Sequence, residues 1–385
     1  MKVLLYSNVF WPSLGGIEIV TDVLAQNLIK LGCECVVVTE SPLTDQPELV
    51  RPYEIVRHPG WRQRLSLARQ CSIVHANGAS MAMFPYARCA GIPFVWTHNG
   101  YQVSCVDGLG WAYGRPAPMK PLESLRFHAR ERGWRFGLQA AVKLGLRRIV
   151  ALNVDLNLAG SQWVAKRQPL PNQHVAYNPY PLERFRAVRV AESPKFDFMY
   201  VGRLVGEKGV DVLIRAFGLL LRDPTFKGTR LGIAGSGDMR HALEALAHET
   251  GVAAQIEFLG ALVGEEVPQA MAQARFGVVP STWEEPYGGV SLEWLAAGRS
   301  LIVSARGGHA ECVADAGLQF DNGDAESLHS CMRRLLTDSV LREEQSRAPM
   351  FRIGAFDEMT LTSAYVRHYE LALSARGRSF TPRRQ

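Results

Sequence analysis

The sequence predicts two α/β domains, each a doubly wound, Rossmann-like parallel sheet, facing one another across a cleft. Three observations lead there. The chain has 385 residues, more than a single hydrophobic core usually serves. Short β-rich runs alternate with helix-like stretches, and the alternation starts twice. Between the two series lies the Pro-rich NPYPLERF (residues 178–185), the natural linker. The expected domains are therefore 1–182 and 183–360, followed by a third segment at 361–385. That segment joins an amphipathic helix in LTSAYVRHYELAL to the basic tail RGRSFTPRRQ.

In the first series, strands are expected at 3–7, 35–38, 72–76, 93–98 and 157–161. Between the first two, Ile17, Val20, Val23, Leu24, Leu28 and Leu31 recur at helical spacing and stop at Gly32. Strand, Gly-containing loop, helix and strand make a βαβ unit, which implies parallel pairing. In the second series, strands are expected at 196–202, 230–235, 256–260, 276–280 and 300–304. Helix-like segments such as VDVLIRAFGLLL and DMRHALEALAHET separate them.

Composition narrows the class. Apolar residues make up 47% and charged residues 21%, as in a water-soluble globular chain. No apolar run reaches the length of a membrane span, and MKVLLYSNVFWP lacks the basic start and cleavage site of a leader, so a cytoplasmic location is expected. Seven scattered cysteines suit reduced core thiols better than a disulfide framework, and no zinc spacing occurs. Charge is uneven: residues 1–188 hold 21 Lys+Arg against 12 Asp+Glu, the remainder 22 against 25. Much of the excess lies between Arg115 and Arg148, where Arg126, Arg130, Arg132, Arg135, Lys143, Arg147 and Arg148 face only Glu123 and Glu131. Such a run is either a solvated helical face or a surface for anionic headgroups or a diphosphate-bearing acceptor. A nucleic-acid partner is not expected.

The chemistry should sit in loops that follow strands, where doubly wound sheets bind ligands. After the first strand, Gly15 and Gly16 precede a helix and could cradle an anion on backbone N–H groups, or could simply allow a tight turn. The spacing is not the G-x-G-x-x-G of a dinucleotide site. After the first strand of the second series, GRLVGEKGVD carries Arg203 and Lys208, a planar fork and a mobile point charge suited to a diphosphate. After the 276–280 strand, WEEPYGG leads into the short helix VSLEWLAA, closed by Gly298. Gly288 and Gly289 would let an anion approach the helix start, while Glu285 and Glu293 offer acceptor-only carboxylates for sugar hydroxyls.

Taken in order, the Gly15-Gly16 loop, GRLVGEKG, IAGSGDM, IEFLG, Glu285-x7-Glu293 with Ala-Ala-Gly, and SARGGHAECV resemble the retaining glycosyltransferases of family 4, over almost the whole chain. The resemblance implies the GT-B fold. It implies that the first domain binds the acceptor, the second binds the nucleotide-sugar donor, and the C-terminal helix crosses back to the first.

By the same resemblance, Arg203 and Lys208 hold the donor diphosphate and Glu285 contacts the sugar. Glu293 accepts from the ribose, Tyr287 to Val290 line the sugar and phosphate, and Leu262 borders the base. Gly16 meets the phosphate or, with Gly15, the acceptor. His98 matches a sugar-contacting position that could serve donor or acceptor; the alternative is a satisfied core histidine. The catalytic set is thus Glu285, Arg203, Lys208 and His98. Three departures stand out: Asn178-Pro179 where Asn-Gly is frequent, Tyr287 where Phe is frequent, and the extra acid Glu284.

The expected reaction transfers a sugar, with retention, from a UDP- or GDP-linked donor to a hydroxyl acceptor. A glycan or polyprenyl-diphosphate-linked intermediate of polysaccharide synthesis is expected at that acceptor. No Asp-x-Asp pair is present to bridge a divalent ion to the diphosphate, so neither a metal nor another cofactor is expected. Three rival readings are a small-molecule natural-product acceptor, a nucleotide-sugar epimerase of the same fold, and a non-catalytic nucleotide-sugar or lipid-binding scaffold. Residues 115–148 would add peripheral contact with the inner face of a membrane.

Overall fold

A computed structural model describes residues 1–12, 15–42, 50–189 and 191–377. They form two compact units: one takes the residues up to Gly110, Ala117–Pro181 and those from Phe356 on, the other Trp111–Pro116 and Leu182–Ala355. The division at Pro181 falls one residue from the expected boundary. The returning segment starts at Phe356 rather than 361, because the Phe356 ring already stacks edge-on against Tyr177, at 5.5 Å, in the first unit. Residues 378–385 of the expected basic tail lie outside the described residues.

The first unit is a parallel sheet of β1 (Lys2–Ser7), β2 (Glu34–Thr39), β3 (Glu54–Arg57), β4 (Ile73–Asn77), β5 (Phe94–His98), β6 (Leu156–Ala159) and β7 (Gln173–Val175). Their order is β3-β2-β1-β4-β5-β6-β7. Side chains alternate across a strand, so β1 feeds two cores. Val3 and Leu5 pack with Leu24 and Leu28 of α1 (Gly16–Lys30) and with Tyr365 and Tyr369 of the C-terminal helix Glu358–Ser374. Leu4 and Tyr6 pack with Val36, Val38 and Trp96 on the other face.

Polar bonds fix the C-terminal helix in place. His75, fully buried on β4, bonds Tyr369 Oη at 2.8 Å and Thr97 Oγ1 at 2.7 Å. Beyond β5, α2 (Pro121–Arg132) and α3 (Trp134–Asn153) carry the basic segment. Ser124 and His128, one turn apart on α2, are buried and bonded to the loop below, at Val106 N and Asp107.

The second unit is a parallel sheet of β8 (Phe196–Val201), β9 (Leu231–Ala234), β10 (Ile256–Gly260), β11 (Ala274–Val279), β12 (Leu301–Ser304) and β13 (Gly317–Phe320), ordered β10-β9-β8-β11-β12-β13. It is entered through the one-turn helix α4 (Glu183–Arg186). From β8 the chain runs into α5 (Val210–Leu220), and from β11 into α6 (Gly289–Ala296). Gly277 on β11 is needed here: a Cβ would stand 2.5 Å from the indole of Trp294, which is fully buried against that strand. The missing side chain sets how closely α6 lies on the sheet, and with it where Glu293 emerges.

Candidate functional site

The second sheet reverses its winding between β8 and β11, and the loops that leave those two strands meet at the strand ends, where doubly wound sheets bind ligands. The loop after β8 ends in a tight turn, Gly206–Lys208, followed by Gly209 at φ +66°. A Cβ at Gly209 would meet Pro280 O at 2.1 Å, so only glycine lets this loop lie against the end of β11. Thr282 then fastens the two loops together, its N–H donating to Glu207 O at 3.0 Å and its hydroxyl to the same oxygen at 3.2 Å.

Into this junction point Lys208 and Glu285. Lys208 Nζ donates to Glu285 Oε1 at 2.7 Å and Oε2 at 2.9 Å, and the two side chains are 16% and 17% exposed. Ser281 Oγ donates to Oε2 at 3.1 Å. His309, on α7 (Gly308–Val313) and 1% exposed, places Nε2 2.7 Å from the same oxygen and Nδ1 2.9 Å from Ser291 Oγ. A carboxylate has no proton to give, so Nε2 carries the hydrogen. Burial alone would raise the Glu285 pKa. Lys208 and His309 outweigh it and hold the carboxyl well below the usual range, so Glu285 is ionised.

His309 was not singled out from the sequence, although SARGGHAECV contains it. The signal that could have found it is the Gly pair before it. Gly307 has φ +123° and Gly308 would place a Cβ 2.7 Å from Pro286 O and from Tyr287 Cα, so the α7 start is pressed against the Glu285 loop. Gly308 N donates to Glu285 O at 2.6 Å. Gly288 belongs to the same packing. A Cβ there would stand 3.0 Å from Cys312 Sγ, Gly308 O and His309 Cα, so its small size serves protein contact.

The other expected residues separate. Arg203 is 69% exposed and reaches Glu207 at 3.4 Å, so it does not join Lys208. Tyr200 Oη holds its backbone, donating to Arg203 O at 2.7 Å. Glu293, half-buried on α6, does not share the Glu285 environment: burial pushes its pKa up to about 7, with Arg184 of α4 opposing the shift. Gly289 and Val290 start α6, with Tyr287 just ahead of it, and Gly298 follows it at φ +69°, the left-handed cap that the sequence predicts. Leu262 lies half-buried in the turn after β10.

In the first unit, His98 is 1% exposed, stacks on Trp96 at 4.7 Å and bonds Asn157 Oδ1 at 2.8 Å. Burial lowers its pKa to about 4. In this arrangement it is a packed histidine, as in the alternative named above. Gly15 caps α1 without a side chain, and the Glu18 carboxylate lies 2.5 Å from where a Cβ at Gly15 would be. An acid at that helix start disfavours the anion cradle proposed for Gly15 and Gly16; Ser13 and Leu14 of the loop are outside the described residues. The C-terminal edge of this sheet carries an amide chain that sequence reading missed. Asn77 Nδ2 donates to Thr21 Oγ1 at 2.9 Å, Asn99 Nδ2 to Asn77 Oδ1 at 2.6 Å, and Asn178 Nδ2 to Asn99 Oδ1 at 3.0 Å.

Two family models match the chain in succession. The family model described as Glycosyltransferase Family 4 matches residues 14–184, and that described as Glycosyl transferases group 1 matches residues 183–349. An uncharacterized glycosyltransferase of Methanocaldococcus jannaschii is 32% identical over 198 residues, 50% of this chain and 49% of that protein. The glycogen synthase of Mycobacterium tuberculosis is 35% identical over 188 residues, 48% of this chain and 44% of that protein. The chain thus matches about half the length of these curated relatives. Among solved structures, Anabaena HepE in complex with UDP and glucose is 18% identical, with a TM-score of 0.68 over 96% of this chain and 99% of that one, and the same protein is solved with UDP-glucose. At that identity the likeness speaks for the fold, and it agrees with the two doubly wound sheets. Two adjoining family models that together run from residue 14 to residue 349 complete the identification: the chain belongs to the family 4 glycosyltransferases of GT-B fold.

Proposed function

We propose that this chain transfers a hexosyl group from a nucleotide-diphosphate sugar to a hydroxyl acceptor, with retention and without a metal ion. The observation that carries the proposal is the Lys208–Glu285–His309 cluster at the winding reversal of the second sheet. A departing diphosphate gathers negative charge while the sugar ring gathers positive charge. Lys208 can answer the first and an ionised Glu285 the second. In the present arrangement they neutralise each other. An arriving diphosphate offers Lys208 further anionic oxygens, which frees the Glu285 carboxylate for the sugar. Arg203, exposed, is the second cation within the same loop. In this reading the two cations supply the positive charge that a divalent ion would otherwise provide.

UDP is favoured as the donor nucleotide because the Anabaena neighbour is solved with UDP and with UDP-glucose, and GDP is the alternative. For the acceptor, the basic segment 115–148 favours a diphosphate-bearing lipid or glycan intermediate of polysaccharide synthesis, met at a membrane surface. The test supplies UDP- and GDP-hexoses with a synthetic polyprenyl-diphosphate sugar, with and without EDTA. Nucleoside diphosphate release matched by glycosylated product, equal in both arms, is expected. Loss of activity in EDTA and recovery with Mn2+ would overturn metal independence. Conversion of the sugar nucleotide without a glycosylated product would favour an epimerase, and donor binding without any conversion a scaffold.

A further inference from the structure

α3 is apolar on two opposite faces. Ala140, Leu144 and Ala151 are buried against the first unit. Trp134, Leu138, Val142, Leu146, Ile149 and Leu152 are between 49% and 71% exposed. At roughly 100° per residue, those six fall within a sector about 120° wide, on the side of the helix away from the buried one. Scattered exposed leucines need no explanation, but a continuous apolar stripe along a 20-residue helix does.

The flanks of the stripe say what covers it. Arg126, Arg130 and Arg132 on the neighbouring α2 and Lys143 on α3 are exposed; Arg135, also exposed, falls inside the sector near its start and lays its guanidinium over the Trp134 ring at 5.6 Å. Arg147 and Arg148 point the other way. They donate to the backbone oxygens of Gln102 and Val103, at 3.4 and 3.2 Å, and clamp the helix to the unit beneath. Five cations beside a row of large apolar side chains, with Trp at one end, match the chemistry of an anionic lipid interface. Among the described residues no helix is long and apolar enough to cross a membrane, so contact along the surface is the geometry available to α3.

We propose that α3 lies in the headgroup region of an anionic bilayer, with its Trp134–Leu152 stripe inserted and the α2 and α3 cations on the phosphates. This deepens the reading of a lipid-linked acceptor, and rests on it only for its purpose: the binding is testable without any transfer assay. The full chain is sedimented with vesicles of equimolar phosphatidylglycerol and phosphatidylcholine, and with phosphatidylcholine alone. Binding to the anionic vesicles is expected, weakened by salt but not abolished, since salt screens the cations and leaves apolar insertion intact.

The double variant Leu138→Glu with Ile149→Glu should bind at least about tenfold more weakly. Both positions are exposed, so its melting temperature should match that of the parent. Arg126→Gln with Arg130→Gln should lower binding to anionic vesicles only. No vesicle binding by the parent chain, or equal binding by the double Glu variant, would overturn the proposal. So would a concentration-dependent dimer that the double Glu variant dissolves, because the stripe would then be an interface between two copies. Loss of vesicle binding with transfer to a water-soluble acceptor intact would leave the catalytic reading standing.

Discussion

Glu285 and Glu293 were read from the sequence as one functional pair, and the structure gives them opposite electrostatics. Glu285 is kept ionised by Lys208 and His309, while burial keeps Glu293 protonated up to about 7. The loop positions of Lys208 and Glu285 were legible because each follows a buried strand. Their mutual bond was not, because it joins residues from two loops that only the folded sheet brings together. His309 escaped notice because one histidine in a Gly-rich loop carries no periodicity.

Two outcomes follow at this scale. In the proposed reaction His309 is a positioning residue, acting through its bond to Glu285. His309→Ala should move the acid limb of the pH–rate profile upward, because Glu285 loses one of the groups that keep its pKa low, and should lower kcat more than it raises KM for the donor. His309→Gln, which can still donate, should restore most of the profile; a merely structural histidine would leave the acid limb where it was. The Glu285 contribution to stability is present above the unfolded carboxyl pKa and is lost as pH falls through the lower folded one.

For Glu293 the sign is reversed. The folded state holds its proton more tightly than the unfolded state, so its contribution to stability declines as pH rises from the ordinary carboxyl range through about 7. If Glu293 accepts from ribose hydroxyls, UDP should bind more tightly about one unit above pH 7 than one unit below it, with protons released on binding. Calorimetry in two buffers of different ionisation enthalpy checks this. Glu293→Gln should remove most of the pH dependence, and an unchanged dependence would detach Glu293 from the nucleotide.

At the scale of elements, the central strands and the edge strand β10 were legible, and the edge strands β3, β7 and β13 were not. β1, β4, β8 and β11 are buried over most of their length and read as mostly apolar runs. β3 (EIVR), β7 (QHV) and β13 (GLQF) are three or four residues long at the sheet edges, with polar or charged residues that local pattern cannot separate from loop. The basic segment was legible as charge. The exposed stripe of α3 was not, since apolar spacing alone does not tell a buried face from one left open.

Gly277 is a prediction about element packing. Gly277→Ala drives a methyl group into Trp294 and should destabilise the second unit by ~1–3 kcal/mol through overpacking. A lower urea midpoint at unchanged slope would show it. Because α6 carries Glu293, nucleotide affinity should fall as well. An unchanged midpoint would mean that the Trp294 contact relaxes without cost.

For the whole molecule, the division into two α/β units could be read from the repeated alternation and the Pro-rich linker, and the return of the C-terminal helix to the first from the family resemblance, but the packing of the linker could not. Asn178, in the stretch read as linker, is tied to Asn99 and accepts from Tyr365 Oη at 3.1 Å, so it is part of the first unit. Tyr365 and Tyr369 place the C-terminal helix in that same core. Each unit carries a polar cluster at the ends of its central strands: amides in the first, and Lys208, Glu285 and His309 in the second. The charged cluster is the one whose chemistry suits the proposed diphosphate.

The central claim is therefore that Lys208 holds the donor diphosphate while Glu285 serves the sugar. The most direct measurement is UDP affinity, with donor turnover measured alongside, for the parent, Lys208→Ala and Glu285→Gln. Lys208→Ala should lose UDP affinity by at least about tenfold, and Glu285→Gln should bind UDP within a few fold of the parent while turnover falls by about 100-fold or more. UDP affinity unchanged in Lys208→Ala, or full turnover in Glu285→Gln, would contradict it.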